Sequence, residues 1–154
     1  RQVATALEEG GFKSRVIEDI RSEIWLKAWG SLSINPVSAL TGATMAEICS
    51  YPPTRDLVAG MMQEAKEVAE ALGASIRHSI DKRIEGARAV GAHKTSMLQD
   101  VEAGRPLELD ALMLAVLELA ELTGVDAPTI RSIYACAALL NDGILAARRD
   151  RGSG

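Results

Sequence analysis

The segment from Ser14 to Gly42, SRVIEDIRSEIWLKAWGSLSINPVSALTG, decides the fold of this chain. Its apolar residues recur at helical spacing, which predicts an amphipathic α-helix with one buried face. The predicted apolar stripe consists of Ile17, Ile20, Ile24, Ala28 and Leu32, widened by Trp25 and Trp29. Pro36 lacks an amide hydrogen and clashes with the preceding turn, so we expect the helix to bend or end there.

A column of polar residues accompanies this stripe. Residues four apart in sequence stack on one face of a helix. The column consists of Asp19, Glu23, Lys27, Ser31 and Asn35. By itself it is interpreted as a solvated helix face with a Glu23–Lys27 ion pair. A binding surface for a small polar molecule, beside the two tryptophans, is the alternative.

Composition restricts the class of protein. The 154 residues, 47% of them hydrophobic, predict one globular domain with a substantial core. A net charge of −4 argues against a nucleic-acid partner. No run approaches the ~18 apolar residues of a membrane span and no signal peptide opens the chain, so we expect no membrane partner. Cys49 and Cys136 lie in no metal or redox spacing, which predicts no metal site and favours a reducing, cytoplasmic location.

The next part of the chain predicts two more helices. Pro52 and Pro53 break the chain, because neither proline fits a helix interior. The apolar pattern then predicts a helix over residues 54–72, followed by Gly73 as a C-terminal cap. Ser79 is a predicted N-cap for a helix that ends near residue 89. Residues 77–94 contain five basic and two acidic residues, a pattern typical of a solvated face.

The last third of the chain completes an all-α fold of five or more helices. Ser96 and Gln99 have capping-box spacing, so we expect Ser96 to cap a short helix that ends at Gly104. The seven consecutive apolar residues 111–117 predict a helix inside a bundle or in an oligomer interface. A final helix begins near Pro128, and no segment shows the alternation of a strand.

The motifs that bind nucleotides, metals or acyl groups are missing from the sequence. There is no GxGxxG, no Walker loop and no serine elbow. The polar residues that remain allow several roles, among which physical chemistry alone does not select: a lysine can protonate a forming alkoxide, and a serine at a helix N-terminus can bind a carboxylate. A glutamate can hold that lysine or accept a hydrogen bond from a hydroxyl group.

Two segments together resemble the C-terminal domain of ketopantoate reductase. They are IWLKAWGSLSINPVSALTGATMAEI and, some fifty residues later, HKTSMLQDVEAGRPLELDAL. The resemblance extends from about Val16 to Leu140. It implies a helical domain, similar to those of phosphogluconate dehydrogenase-like enzymes, that follows an N-terminal Rossmann domain absent from residues 1–154. The implied reaction is NADPH-dependent reduction of ketopantoate to pantoate in pantothenate biosynthesis.

The resemblance also implies roles for individual residues. Lys27 matches the proton-donating lysine of the family, and Ser31 and Asn35 fall on two asparagines that bind substrate. Ser96 matches the serine that binds the substrate carboxylate. Glu108 matches a glutamate near both the substrate and the nicotinamide end of NADPH.

The chain departs from the family pattern in ways that bear on the substrate. Ser31 replaces an asparagine, and Met45 stands where some members carry another substrate-binding asparagine. These departures leave two alternatives open: a reductase domain for another 2-keto acid, and a helical binding or dimerisation module without catalysis. Expected partners are a 2-keto acid, the Rossmann domain of the same polypeptide and a second copy in a homodimer. Without the Rossmann half, we expect the isolated chain to be inactive.

Overall fold

The computed structural model describes residues 2–152, which contain eight α-helices and a π-helical turn and no strand. This confirms the predicted all-α class. The elements in chain order are α1 Gln2–Glu9, α2 Ile20–Thr41, α3 Met45–Ser50, α4 Pro52–Ala71, α5 Ile80–Ala89, α6 Ser96–Glu102, the π-turn Asp110–Leu114, α7 Ala115–Thr123 and α8 Pro128–Gly152.

Helix α2 lies at the centre of the fold. It packs against α4, α6 and α8. The indole Nε1 of Trp29 donates a hydrogen bond of 2.6 Å to the carbonyl oxygen of Met62, which joins α2 to α4 inside the core. Both side chains are fully buried, as is Leu32. Packing of this kind supplies most of the stability of a helix in a protein.

The first part of the predicted apolar stripe is wrong. Helix α2 begins at Ile20, because the side chain of Asp19 caps it by accepting a hydrogen bond from the Ser22 amide. Ile17 therefore lies before the helix, and it is 47% exposed. Ile20 and Ile24 are 54% and 60% exposed, so these two positions of the stripe face solvent in the described chain. Helical spacing identifies an apolar face but does not provide its partner.

Pro36 does not end the helix, which continues to Thr41. A proline in a helix interior costs about 3 kcal/mol. Burying one aliphatic side chain contributes about 1.5–3 kcal/mol. Ile34 and Val37 are both buried beside Pro36, so packing offsets the penalty. The helix ends instead at Gly42, which adopts the left-handed conformation with φ = 72°.

Most of the other predicted helix ends are confirmed. The chain breaks between α3, which ends at Ser50, and α4, but α4 begins at Pro52, two residues before the predicted start, because a proline fits the first turn of a helix. Ser79 caps α5 by accepting a hydrogen bond from the Lys82 amide. Gly124 ends α7 with φ = 72°. These ends depend on local backbone chemistry, which neighbouring residues determine.

The predicted cap at Ser96 is wrong by one residue. Thr95 is the N-cap of α6, and its side-chain oxygen accepts a hydrogen bond of 3.2 Å from the Leu98 amide. Gln99 does not complete a capping box with Ser96, because its side chain donates to the Lys94 carbonyl oxygen. Thr95 is buried whereas Ser96 is exposed, so burial favours the threonine as the cap.

The last two helices close the bundle. Met113, Val116 and Leu117 are buried, which agrees with an interior position for the apolar run. By length and composition alone, α8 also qualifies as a membrane-spanning helix, with a mean hydropathy of 1.2 in the span Pro128–Asp150. A single helix of this kind is weak evidence. Helix α8 packs against α2 and α4, with Ile130 and Ala137 fully buried.

Candidate functional site

Lys27 lies on the exposed side of α2, two residues before the fully buried Trp29. Within the described part of the chain, its ammonium group takes part in no hydrogen bond or ion pair. The ion pair with Glu23 that a simple solvated face predicts is therefore not formed. Glu23 instead lines a separate cavity with Arg77 and His78. The lysine is thus available for a ligand.

Ser31 and Asn35 line one cavity of about 250 Å³ between α2 and α5. The side chain of Asn35 is half-buried and has no hydrogen-bond partner among the described residues. The Ser31 hydroxyl makes only a long contact of 3.4 Å, to the carbonyl oxygen of Lys27. By contrast, Ser33 and Ser38 on the same helix are fully buried, and each donates to a backbone carbonyl at 2.9 Å or less.

Ser96 occupies the first turn of α6, a helix that packs against α2. Its neighbours Thr95 and Met97 are buried and hold the backbone in place, while Ser96 itself is exposed. Its hydroxyl has no partner in the described chain. Ser96 does not line the cavity that contains Ser31 and Asn35.

Glu108 lies between two buried leucines, Leu107 and Leu109, just before the π-turn. The side-chain oxygen of Asn141 on α8 accepts a hydrogen bond of 2.8 Å from the Leu107 amide, which anchors this segment. The π-turn in turn packs against α2. The carboxylate of Glu108 is exposed, and among residues 2–152 it has no ion-pair partner.

The structure therefore divides the predicted site residues. Ser31 and Asn35 share a cavity, whereas Lys27, Ser96 and Glu108 do not line it. Four of the five side chains nevertheless lie on α2 or on α6, which contacts it, and Glu108 lies in the loop before the π-turn that packs against α2. None of them has a side-chain partner in the described chain, apart from the long Ser31 contact.

Arg83 on α5 also lines this cavity, and the sequence reasoning did not single it out. Helical spacing places residues of one helix on a common face, but it does not show which residues of two distant helices meet. The signal was the local excess of basic residues between 77 and 94. Of those bases, Arg83 is the one that lines the cavity.

Comparison with known proteins agrees with this fold. Residues 19–141 match the family model described as ketopantoate reductase PanE/ApbA C terminal. The chain is 50% identical over 133 residues to 2-dehydropantoate 2-reductase of Mesorhizobium japonicum, covering 86% of this chain and 41% of that protein. The chain thus spans less than half the length of this relative.

Two solved structures share the fold. The crystal structure of 2-dehydropantoate 2-reductase from Methylococcus capsulatus superposes with a TM-score of 0.84 at 31% identity, covering 93% of this chain and 50% of that one. D-mandelate dehydrogenase, solved with NADH and anilino(oxo)acetate, superposes with a TM-score of 0.82 at 21% identity, covering 93% and 61%. The second likeness shows a common fold alone.

Proposed function

Because this chain belongs to the ketopantoate reductase C-terminal family, we propose that it is the substrate-binding domain of an NADPH-dependent ketopantoate reductase and carries its catalytic lysine. The observation that supports this most is the unpaired polar face of α2, where Lys27 and Asn35 have no internal partner among the described residues. Buried polar side chains are normally hydrogen-bonded, as Ser33 and Ser38 are, whereas Lys27 and the half-buried Asn35 keep their polar groups available to a ligand.

In this proposal each residue has one role. The ammonium group of Lys27 donates a proton to the oxygen of the substrate carbonyl as that oxygen gains negative charge. Ser31 and Asn35 bind polar groups of the keto acid and hold its carbonyl in line for the reaction. The Ser96 hydroxyl donates a hydrogen bond to the substrate carboxylate.

NADPH would be held mainly by a Rossmann domain of the same polypeptide, and when bound it supplies the hydride. The contribution of this chain is Glu108. Its carboxylate is exposed and unpaired in the described structure, so it fits as an acceptor for a hydroxyl or amide donor at the nicotinamide end of the cofactor. We also propose that the whole enzyme acts in the cytoplasm, in pantothenate biosynthesis, and that it assembles as a homodimer.

The role of Lys27 is tested in a hybrid enzyme that joins this chain to the N-terminal part of the Mesorhizobium japonicum reductase. We expect Lys27→Ala to lower kcat for ketopantoate by about 10²–10⁴-fold, because a general acid is lost. NADPH affinity and the melting temperature should not change. Lys66→Ala is the control, since Lys66 lies on α4, where its ammonium group is 3.7 Å from the carboxylate of Glu70.

Two results would contradict the proposal. One is a kcat of Lys27→Ala within a few-fold of the unmodified hybrid. The other is a folded hybrid that binds NADPH but reduces neither ketopantoate nor another 2-keto acid.

The role of Ser96 can be separated from capping by comparing it with Thr95. Thr95→Ala removes the cap of α6 and should destabilise the chain by about 0.5–2 kcal/mol. Ser96→Ala should leave the melting temperature unchanged and raise KM for ketopantoate about tenfold, because a hydrogen bond to a charged group is lost. Chemical denaturation and steady-state kinetics measure the two effects. An unchanged KM in Ser96→Ala would show that Ser96 takes no part in binding the carboxylate.

A further inference from the structure

We propose that Arg83, which lines the cavity between α2 and α5, supplies the charged contact to the substrate carboxylate in addition to the hydrogen bond assigned to Ser96, which makes Arg83 a substrate-binding residue beyond those inferred from the family. The identity of the acid rests on the proposed function. The cavity of about 250 Å³ is bordered by Ser31 and Asn35 on α2, by Met45 on α3 and by Arg83 on α5. Among its described lining residues, Arg83 is the one that carries a charge.

The two acidic residues of α5 form ion pairs with arginines other than Arg83. On the same helix, Asp81 forms an ion pair with Arg55. Glu85 forms one with Arg88, with Nη2 at 2.6 Å from Oε1, and these hydrogen bonds lower the pKa of Glu85. Arg83 has no ion pair or hydrogen bond in the described chain. A cavity that holds one unpaired cation and no lining acid selects an anion.

The backbone of α2 leaves room for the guanidinium group. Gly30 is buried in α2, one residue before Ser31. A β-carbon at this position would lie 2.6 Å from Nε and 2.8 Å from Cζ of Arg83. Any other residue at position 30 would therefore displace the guanidinium from its place against the helix. This juxtaposition places the guanidinium against α2 at Gly30, at the border of the cavity that Ser31 also lines.

The chemistry of the cavity supports a carboxylate ligand. Ser31 and Met45, the two departures from the family asparagines, both line this cavity, so the amide groups expected there are missing. A guanidinium group offers up to five N–H donors and binds carboxylates with two parallel hydrogen bonds. An ionised carboxylate has about four acceptor sites. One hydroxyl, such as that of Ser96, leaves most of these sites and the charge unmatched.

The test measures binding of pantoate, the stable hydroxy acid, to the 154-residue chain by calorimetry or by NMR titration. Pantolactone, its neutral lactone, is the matched ligand without a carboxylate. We expect Arg83→Met to weaken pantoate binding by about tenfold or more, and to leave the weak binding of the lactone unchanged. The control is Arg88→Met on the same helix, because Arg88 is paired with Glu85 and does not line the cavity. It should retain wild-type affinity.

A second variant moves Arg83 without removing it. Gly30→Ala adds the β-carbon that the guanidinium excludes, and alanine is the better helix former. We expect Gly30→Ala to melt at or above the wild-type temperature and to bind pantoate several-fold more weakly. In the hybrid enzyme, Arg83→Met should raise KM for ketopantoate and change kcat little.

Several outcomes would overturn the inference. The first is that Arg83→Met binds pantoate as tightly as the wild-type chain does. The second is that the wild-type chain binds pantoate and its lactone equally well. The third is that the wild-type chain does not bind pantoate at millimolar concentration. The proposed function is judged separately. If Lys27→Ala still abolishes turnover while Arg83→Met changes nothing, only the inference about Arg83 fails. If the unmodified hybrid is inactive but Arg83 still binds pantoate, only the proposed reductase fails.

Discussion

The two halves of α2 follow the same apolar spacing but have different surroundings. None of residues 20–28 is buried, whereas nine of residues 29–41 are. Ile24 is 60% exposed, and Leu32, which continues the same stripe, is fully buried. The second half carries all the buried residues of α2, which packs against α4, α6 and α8. Spacing therefore gives a helix an apolar face, and only the rest of the fold decides whether that face is covered.

This difference separates stability from binding along one helix. The buried half holds the core together, through Trp29 and Leu32 for example. The exposed half ends at Lys27, and the polar column continues from it to Ser31 and Asn35 on the cavity side of the buried half. The unpaired polar groups of α2 thus lie against a rigid base, which is the arrangement that keeps binding groups in place.

The largest expected effect contrasts the two halves directly. Leu32→Ala removes a fully buried side chain and should destabilise the 154-residue chain by about 2–5 kcal/mol. Ile24→Ala is the matched change in the exposed half and should cost less than about 0.5 kcal/mol. Urea denaturation of both variants provides the comparison. Equal losses would mean that a part of the chain covers Ile24 in solution.

A smaller effect is expected at the two tryptophans. Trp29→Phe removes the indole donor to the Met62 carbonyl oxygen within the core and should cost about 1–3 kcal/mol. Trp25→Phe lies in the exposed half, where the indole makes no hydrogen bond among the described residues, and should cost clearly less. Thermal melts of the two variants check this order. A larger loss for Trp25→Phe would show that the buried hydrogen bond contributes little.

The same contrast explains what the sequence predicts well. The breaks at Pro52 and Gly124 and the cap at Ser79 depend on backbone chemistry within a few residues, and the structure confirms them. The exposure of Ile17 and Ile20 depends on which elements pack nearby, which spacing does not contain. Helix α2 continues through Pro36 because the stabilisation from packing is larger than the cost of a proline in a helix interior.

The candidate site shows the same limit. The resemblance identified Lys27, Ser31, Asn35, Ser96 and Glu108 because their motifs are local in sequence, and their roles stay predictions. The neighbouring hydroxyls of Thr95 and Ser96 both fit a cap by type, and only burial of Thr95 decides between them. Arg83 and Ser31 line the same cavity although about fifty residues separate them in sequence, so no local pattern could indicate that they share it.

The smallest effect is expected where the exposed half begins, at the cap formed by Asp19. The Asp19 carboxylate accepts hydrogen bonds from the Ser22 hydroxyl at 2.6 Å and from the Ser22 amide at 3.1 Å. Both hydrogen bonds lower the pKa of Asp19 below its ordinary value of 3.8, and the bond from the Ser22 hydroxyl has the larger effect. The Ser22 hydroxyl also accepts from the Ser75 amide at 2.8 Å, so the cap connects α2 to the segment after α4.

The sign of the pH effect follows from the direction of this shift. A carboxyl group with a lowered pKa in the folded state contributes stability above its unfolded pKa and loses it as the pH falls through the folded value. We therefore expect the first turn of α2 to fray as the pH falls below 3.8, while residues 29–41 stay helical. NMR chemical shifts along α2 report both halves in one titration. Asp19→Asn caps a helix about as well and does not titrate, so its first turn should lose this pH dependence. An equal titration of the Ser22 amide in Asp19→Asn would show that another acid controls the turn.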